Sequence, residues 1–205
     1  ALSALVLMLL SSAFLFAADI PRLESVHYQE LTESESTPPQ LPVPNTPTYT
    51  RAPVFGRYDY TGLPLYMFTE TTRVSPVLVD AINRANSTLD VALYNLQITE
   101  AARALVKARD RGVRVRVIMD YDHVFPAVGR EIKYLITSGL DVKVMKGRGG
   151  SGSMHNKYAI FDGAALETGS ANWSLSAESS SYENMMFVFD PSTIRGYQEN
   201  YEWMW

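Results

Sequence analysis

Cysteine is absent from the 205 residues. That absence excludes disulfides, thiol catalysis and cysteine-ligated zinc. An excess of positive charge is missing too: 18 Lys and Arg face 22 Asp and Glu, for a net charge of −4. The chain thus lacks the global basic footprint of a nucleic-acid binder, although a local patch would suffice for a nuclease. No internal repeat is present. What remains is a globular composition, 46% hydrophobic and 20% charged, of a length that suits one ordinary domain with extensions.

Residues 1–18, ALSALVLMLLSSAFLFAA, carry no charge. They match the apolar region of a secretory signal, with Ala17 and Ala18 as small residues for cleavage. The expectation is an exported protein, periplasmic or secreted. A membrane anchor is the alternative, because about 18 apolar residues is near the lower limit for spanning a bilayer. Residues 19–54 read as an acidic, proline-rich linker holding seven of the 11 prolines, a composition that stays extended. His27 lies there and receives no catalytic role. Residues 55–205 form the expected catalytic domain.

Within that domain, apolar periodicity switches between two and 3.6 residues. Strands are expected near 65–68, 89–94, 113–119, 140–145 and 182–189. Helices are expected after Ser75 and Thr99 as N-caps, at 130–138 with Ile132, Leu135 and Ile136 inward, and after Asp190-Pro191. Gly112 and Gly139 stop two of them. Alternating strands and helices predict an α/β domain with a mostly parallel, mixed sheet flanked by helices.

The stretch from Met154 to Ser174, MHNKYAIFDGAALETGSANWS, stands apart. It reads as two strands joined by the turn Asp162-Gly163. Strand alternation puts His155 and Lys157 on one face. Ser170 and Asn172 follow the return strand, so a hairpin can gather one imidazole, one ammonium, one hydroxyl and one amide. That set suits phosphate chemistry. Imidazole attacks phosphorus or carries a proton near neutral pH. Lysine, serine and asparagine stabilise the charge that develops on phosphoryl oxygens. No carboxylate cage for a metal and no cofactor are required.

The run H-N-K-Y-A-I-F-D followed by G-S-A-N resembles the signature of the phospholipase D superfamily: His-x-Lys, four residues, Asp, then Gly-Ser-x-Asn. His155, Lys157, Asp162, Gly169, Ser170 and Asn172 all match. The resemblance extends over about residues 65–205 and is closest to small endonuclease-like members with one motif per chain. It implies a phospholipase D-like fold and a metal-independent phosphodiesterase. One histidine attacks phosphorus to form a phosphohistidine, and a second protonates the leaving oxygen. A single motif supplies one histidine. The resemblance therefore implies a homodimer, or a second motif in further C-terminal sequence. It also places a glutamate at Glu183, hydrogen-bonded to the catalytic histidine. Asp162, in the turn and on the opposite parity from His155, is expected to be structural, as is Gly169.

Other groups are weaker candidates. The glycine-rich segment 146–153 lacks phosphate-loop spacing; it reads as a flexible loop whose Lys146 and Arg148 can attract an anionic substrate at the rim. Asp120-Tyr121-Asp122-His123 follows a strand and reads as a solvated strand end. The basic run of Arg103, Lys107, Arg109, Arg111, Arg114 and Arg116 reads as a solvated face. Residues 55–205 hold 16 Lys and Arg against 17 Asp and Glu. Near-neutrality tilts the expected substrate towards phospholipid, with DNA or RNA as the alternative.

Overall fold

A computed structural model describes residues 58–205. The expected signal or anchor at 1–18 and linker at 19–54 lie outside the described residues. Seven strands form one sheet: β1 (Tyr66–Phe68), β2 (Thr88–Leu93), β3 (Arg114–Asp120), β4 (Asp141–Met145), β5 (Lys157–Phe161), β6 (Ala165–Gly169) and β7 (Asn184–Val188), in the order β1-β7-β6-β5-β2-β3-β4. Among the described residues, no helix is long and apolar enough to cross a membrane.

The sheet is mixed, but the parallel share is smaller than the alternating pattern predicts. Only β2–β3 and β3–β4 pair in parallel; β5 runs antiparallel to β2, and β6, β7 and β1 continue antiparallel. For β5 and β6 the reason is the Asp162-Gly163 turn, where both residues take positive φ (56° and 60°). A turn that tight makes a hairpin, whereas a parallel pair needs a long crossover.

Helices α1 (Val74–Arg84) and α2 (Thr99–Asp110) cover one face of the sheet. Their Leu78, Ile82 and Leu105 pack with Leu89, Val91 and Leu93 of β2, with Val115 and Val117 of β3, and with Phe161 and Phe187. Each of these large apolar side chains, fully buried, contributes roughly 1.5–3 kcal/mol. The C-terminal helix α6 (Pro191–Met204) covers the opposite face, where Ile194 and Tyr201 meet Ala92, Ile118, Tyr158 and Leu166. Cover on both faces buries β2 from Leu89 to Leu93 and β3 from Val115 to Asp120 without a break, the charged Asp90, Arg116 and Asp120 included.

A polar cross-link ties α6 to the sheet. Arg116 donates to both oxygens of buried Asp90 at 2.7 and 2.8 Å and to Glu202 at 2.6 Å. Its guanidinium also lies 5.0 Å from the Tyr201 ring centroid. Arg111 donates to the carbonyls of Ile82, Asn83 and Ala85. Arg116 is buried and so does not belong to a solvated face, whereas Arg111 stays exposed while it ties the end of α1 to α2.

Three local expectations change. Ser75 lies inside the first turn of α1, after Arg73 as N-cap, and its N–H donates to Glu178 at 2.6 Å. Thr99 is the first residue of α2 and not its cap; its hydroxyl donates to Glu131 at 2.7 Å. In both cases a distant carboxylate outcompetes the local capping bond. Ile136, expected inward on α4 (Arg130–Thr137), is exposed, while Ile132 and Leu135 are buried. The short helix lies at the sheet's margin, beside edge strand β4, so only a narrow stripe meets the core. By contrast, α6 begins as expected: the Asp190 carboxylate accepts the Thr193 N–H at 2.8 Å, with Pro191 in the first turn.

Candidate active site

The antiparallel placement of β5 beside β2 decides where the chemistry sits. His155 lies just before β5, next to the C-terminal end of β2, because the Tyr94 N–H donates to the Asn156 carbonyl at 2.8 Å. Strand ends at the edge of packed sheets are where α/β folds collect functional groups.

His155 is exposed, whereas Lys157 is buried with 8% of its surface accessible. Lys157 Nζ lies 3.1 Å from His155 Nδ1 and donates to the His155 carbonyl at 2.9 Å. The expected shared face is therefore real contact. Partial burial of its ring, and then the neighbouring ammonium, hold His155 below the usual histidine pKa. Burial likewise lowers the Lys157 pKa, opposed by the Glu183 carboxylate.

The Gly-Ser-x-Asn segment follows β6. Gly169 is required there by space: a Cβ would come within 2.8 Å of Met185 Cα in β7. The Ser170 hydroxyl donates to a Glu183 oxygen and accepts the Asn184 N–H at 3.0 Å. Asn172 Oδ1 is buried without a hydrogen-bond partner among the described residues. Trp173, fully buried, anchors this loop: its carbonyl accepts from the N–H groups of Gln97 and Ile98. Its indole N–H donates to Glu167, whose carboxyl is pushed up to about 8 by complete burial.

Glu183 thus occupies the site region but bonds Ser170, not His155. The carboxylate nearest in effect to His155 is Asp120, whose charge raises its pKa against the other influences. Asp162 sits in the turn and accepts from the N–H groups of Ser87 and Thr88 at 2.7 and 2.9 Å, and from the Tyr60 hydroxyl at 2.7 Å. It anchors the hairpin to the start of β2, away from the imidazole.

Of the two rim candidates, Lys146 lies 3.8 Å from Asp122 and 4.7 Å from the Tyr121 ring centroid, on the one-turn helix α3 (Tyr121–Val124). Arg148 is exposed in a 3₁₀ turn. Sequence reasoning missed Tyr94 and set Asp120 and His123 aside as a solvated strand end. Asp120 is not a solvated strand end: it is completely buried and accepts the Met154 N–H at 2.7 Å. The position of all three at the ends of β2 and β3 was the available signal. Among the described residues, no group of three His, Asp or Glu is placed to hold a metal ion.

Comparison with known proteins places this geometry in context. Residues 78–205 match the family model described as "Cardiolipin synthase, PLD-like domain". The chain is 35% identical over 122 residues to a mitochondrial cardiolipin hydrolase from Xenopus tropicalis, covering 60% of this chain and 56% of that protein. It is 34% identical over 128 residues to the Homo sapiens protein of the same name, covering 62% and 49%. The chain spans about half the length of the curated relatives it matches. Among solved structures, Nuc, a phospholipase D family member from Salmonella typhimurium, shares the fold, with TM-score 0.59, 23% identity and coverage of 67% and 90%. NucT from Helicobacter pylori gives 0.55, 28%, 63% and 85%.

Proposed function

Because this chain belongs to the phospholipase D-like family, we propose that it hydrolyses phosphodiesters through a phosphohistidine. The contact of His155 with the Lys157 ammonium carries the reading. A neutral ring nitrogen of His155 attacks phosphorus, the P–N bond forms and the P–O bond to the leaving group breaks. A second histidine gives its proton to the departing oxygen. That histidine then takes a proton from water as water attacks phosphorus and the P–N bond breaks. Lys157, Ser170 and Asn172 face the charge on the phosphoryl oxygens, where fixed donors lower the barrier most. Glu183 holds the Ser170 hydroxyl in place.

One motif supplies one nucleophile, so the second histidine comes from a second copy of the chain or from a second motif in further sequence. A two-fold pairing would place identical motifs opposite each other.

Phospholipid is the favoured substrate. Relatives over this domain are named cardiolipin hydrolases. The segment beside the site also exposes Tyr121, Phe125 and Val128, groups that suit a lipid–water interface. Nucleic acid is the second reading, favoured by the exposure of His155, which leaves room for a polymer. An exported or membrane-tethered location, resting on the apolar run at 1–18, fits both. Assays of the full-length protein on bis(p-nitrophenyl) phosphate, phospholipid vesicles and DNA test the proposal. Hydrolysis of any of the three that disappears in His155→Asn supports it; no hydrolysis of any of them contradicts it.

A further inference from the structure

The surroundings of His155 contain an arrangement that the two-step scheme does not use. The Tyr94 ring packs against two imidazoles. Its centroid lies 3.9 Å from that of His123 and 4.3 Å from that of His155, at tilts of 51° and 56°. Lys157 Nζ lies 5.2 Å from the same ring. Three cationic or potentially cationic groups therefore share one phenol.

Asp120 fixes the backbone on both sides of this stack. One carboxylate oxygen accepts the His123 N–H at 3.1 Å, and the other accepts the N–H of Met154, the residue before His155. The first oxygen also lies 3.6 Å from His123 Nδ1. The Tyr94 N–H reaches the Asn156 carbonyl, the residue after His155. Both neighbours of His155 are thus tied to the groups that carry Tyr94 and His123. Three short connections of this kind leave little freedom to the histidine's backbone, and the ring packs at a tilt against the Tyr94 ring. Besides that ring, the described side-chain hydrogen-bonding partner of the imidazole is the Lys157 ammonium, so ring packing against Tyr94 bears on its orientation.

We propose that Tyr94 and His123 are positioning residues for His155: the phenol fixes the nucleophile's ring, and His123, on the other side of that phenol, adjusts its protonation. The proposal rests on the phosphodiesterase reading for its catalytic meaning, but not for its physical content. Asp120 and Lys157 act on the pair directly, and Glu183 acts on Lys157; Lys146, flanking α3, is engaged by Asp122 and the Tyr121 ring. Asp120 stabilises charge on His155. Positive charge on His123 disfavours a second on His155, and Lys157 acts in the same sense. A protonated His123 therefore keeps its neighbour neutral, which is the form that attacks phosphorus.

The chain holds three histidines, so imidazole nitrogen signals can be followed individually by NMR across a pH titration. His123→Phe keeps an aromatic ring and removes the ionisable group; His123→Gln does the same without an aromatic demand on α3. In either variant the His155 midpoint is expected to rise by roughly 0.3–1 pH unit. The acid limb of the rate profile should move with it. Tyr94→Leu should lower kcat on bis(p-nitrophenyl) phosphate roughly tenfold with KM within about twofold, as misorientation does, and Tyr94→Phe should restore it. A His155 midpoint that stays put in folded His123→Phe and His123→Gln overturns the proposal. A midpoint that moves in a protein without phosphodiesterase activity supports the coupling and removes the proposed function instead.

Discussion

Lys157 Nζ stands 3.1 Å from Nδ1 of His155, and the lysine is buried where the histidine is exposed. The pair has a directional consequence. The ammonium and partial burial both lower the His155 pKa, so the ring stays neutral to pH values below 6.5, the value from which it is lowered. Activity that depends on neutral His155 should persist below pH 6.5 and then fall. Lys157→Ala removes the lowering charge, so its acid limb should shift upward. An unshifted limb in a folded Lys157→Ala protein would contradict the electrostatic role. Turnover should also drop by about two orders of magnitude or more, the usual loss when one donor to developing charge is removed.

Glu183 reaches the site through the Ser170 hydroxyl. Ser170→Ala and Glu183→Gln should therefore be non-additive: the double variant loses little beyond the worse single one. Rates measured for the three proteins check this. Fully multiplicative losses would show that the two residues act separately.

Asp162 accepts several N–H bonds at the start of β2 as well as the Tyr60 hydroxyl. Asp162→Ala leaves those donors unpaired and should destabilise the domain by roughly 1–3 kcal/mol. Urea unfolding measures it. A loss of activity in Asp162→Ala without loss of stability would move this carboxylate into the chemistry.

Glu167 is completely buried, with its pKa pushed up to about 8 from 4.5. The folded state thus holds a proton that the unfolded state gives up above about pH 4.5. Its contribution to stability is complete below that value and is lost as pH rises towards 8. Glu167→Gln should flatten stability between pH 5 and 8. A wild-type midpoint that does not decline over this interval would show that the carboxyl is ionised in the fold.

The proposed mechanism uses no metal. Hydrolysis should survive excess EDTA, and loss that returns on adding a divalent ion would sink it. The active particle should contain two motifs, seen by light scattering as a dimer of the one-motif chain or in sequence as a second motif. A fully active monomer with a single motif would direct attention to His123 as the second imidazole.

Much of this was legible because the relevant signals are local. The spacing of His155, Lys157, Ser170 and Asn172, the turn at Asp162-Gly163 and the helix start at Asp190-Pro191 need only neighbouring residues to be read. The losses came where a distant partner decides. Ser75 and Thr99 look like caps until Glu178 and Glu131 arrive from other helices. Asp120 looks solvated until the 34-residue return to Met154 buries it. Arg116 looks like surface charge until Asp90 and Glu202 claim it. The sheet's polarity was only partly legible, because the hairpin sets β5 against β6 but periodicity carries no direction to say which way β5 lies beside β2.

The most direct test is chemical quench of the full-length protein during turnover of bis(p-nitrophenyl) phosphate or phospholipid, with digestion and mass spectrometry under alkaline conditions that preserve a phosphohistidine. The account predicts an acid-labile phosphoryl adduct on the peptide containing His155, absent from His155→Asn. Turnover that proceeds with no adduct at any quench time, or unimpaired in His155→Asn, would contradict it.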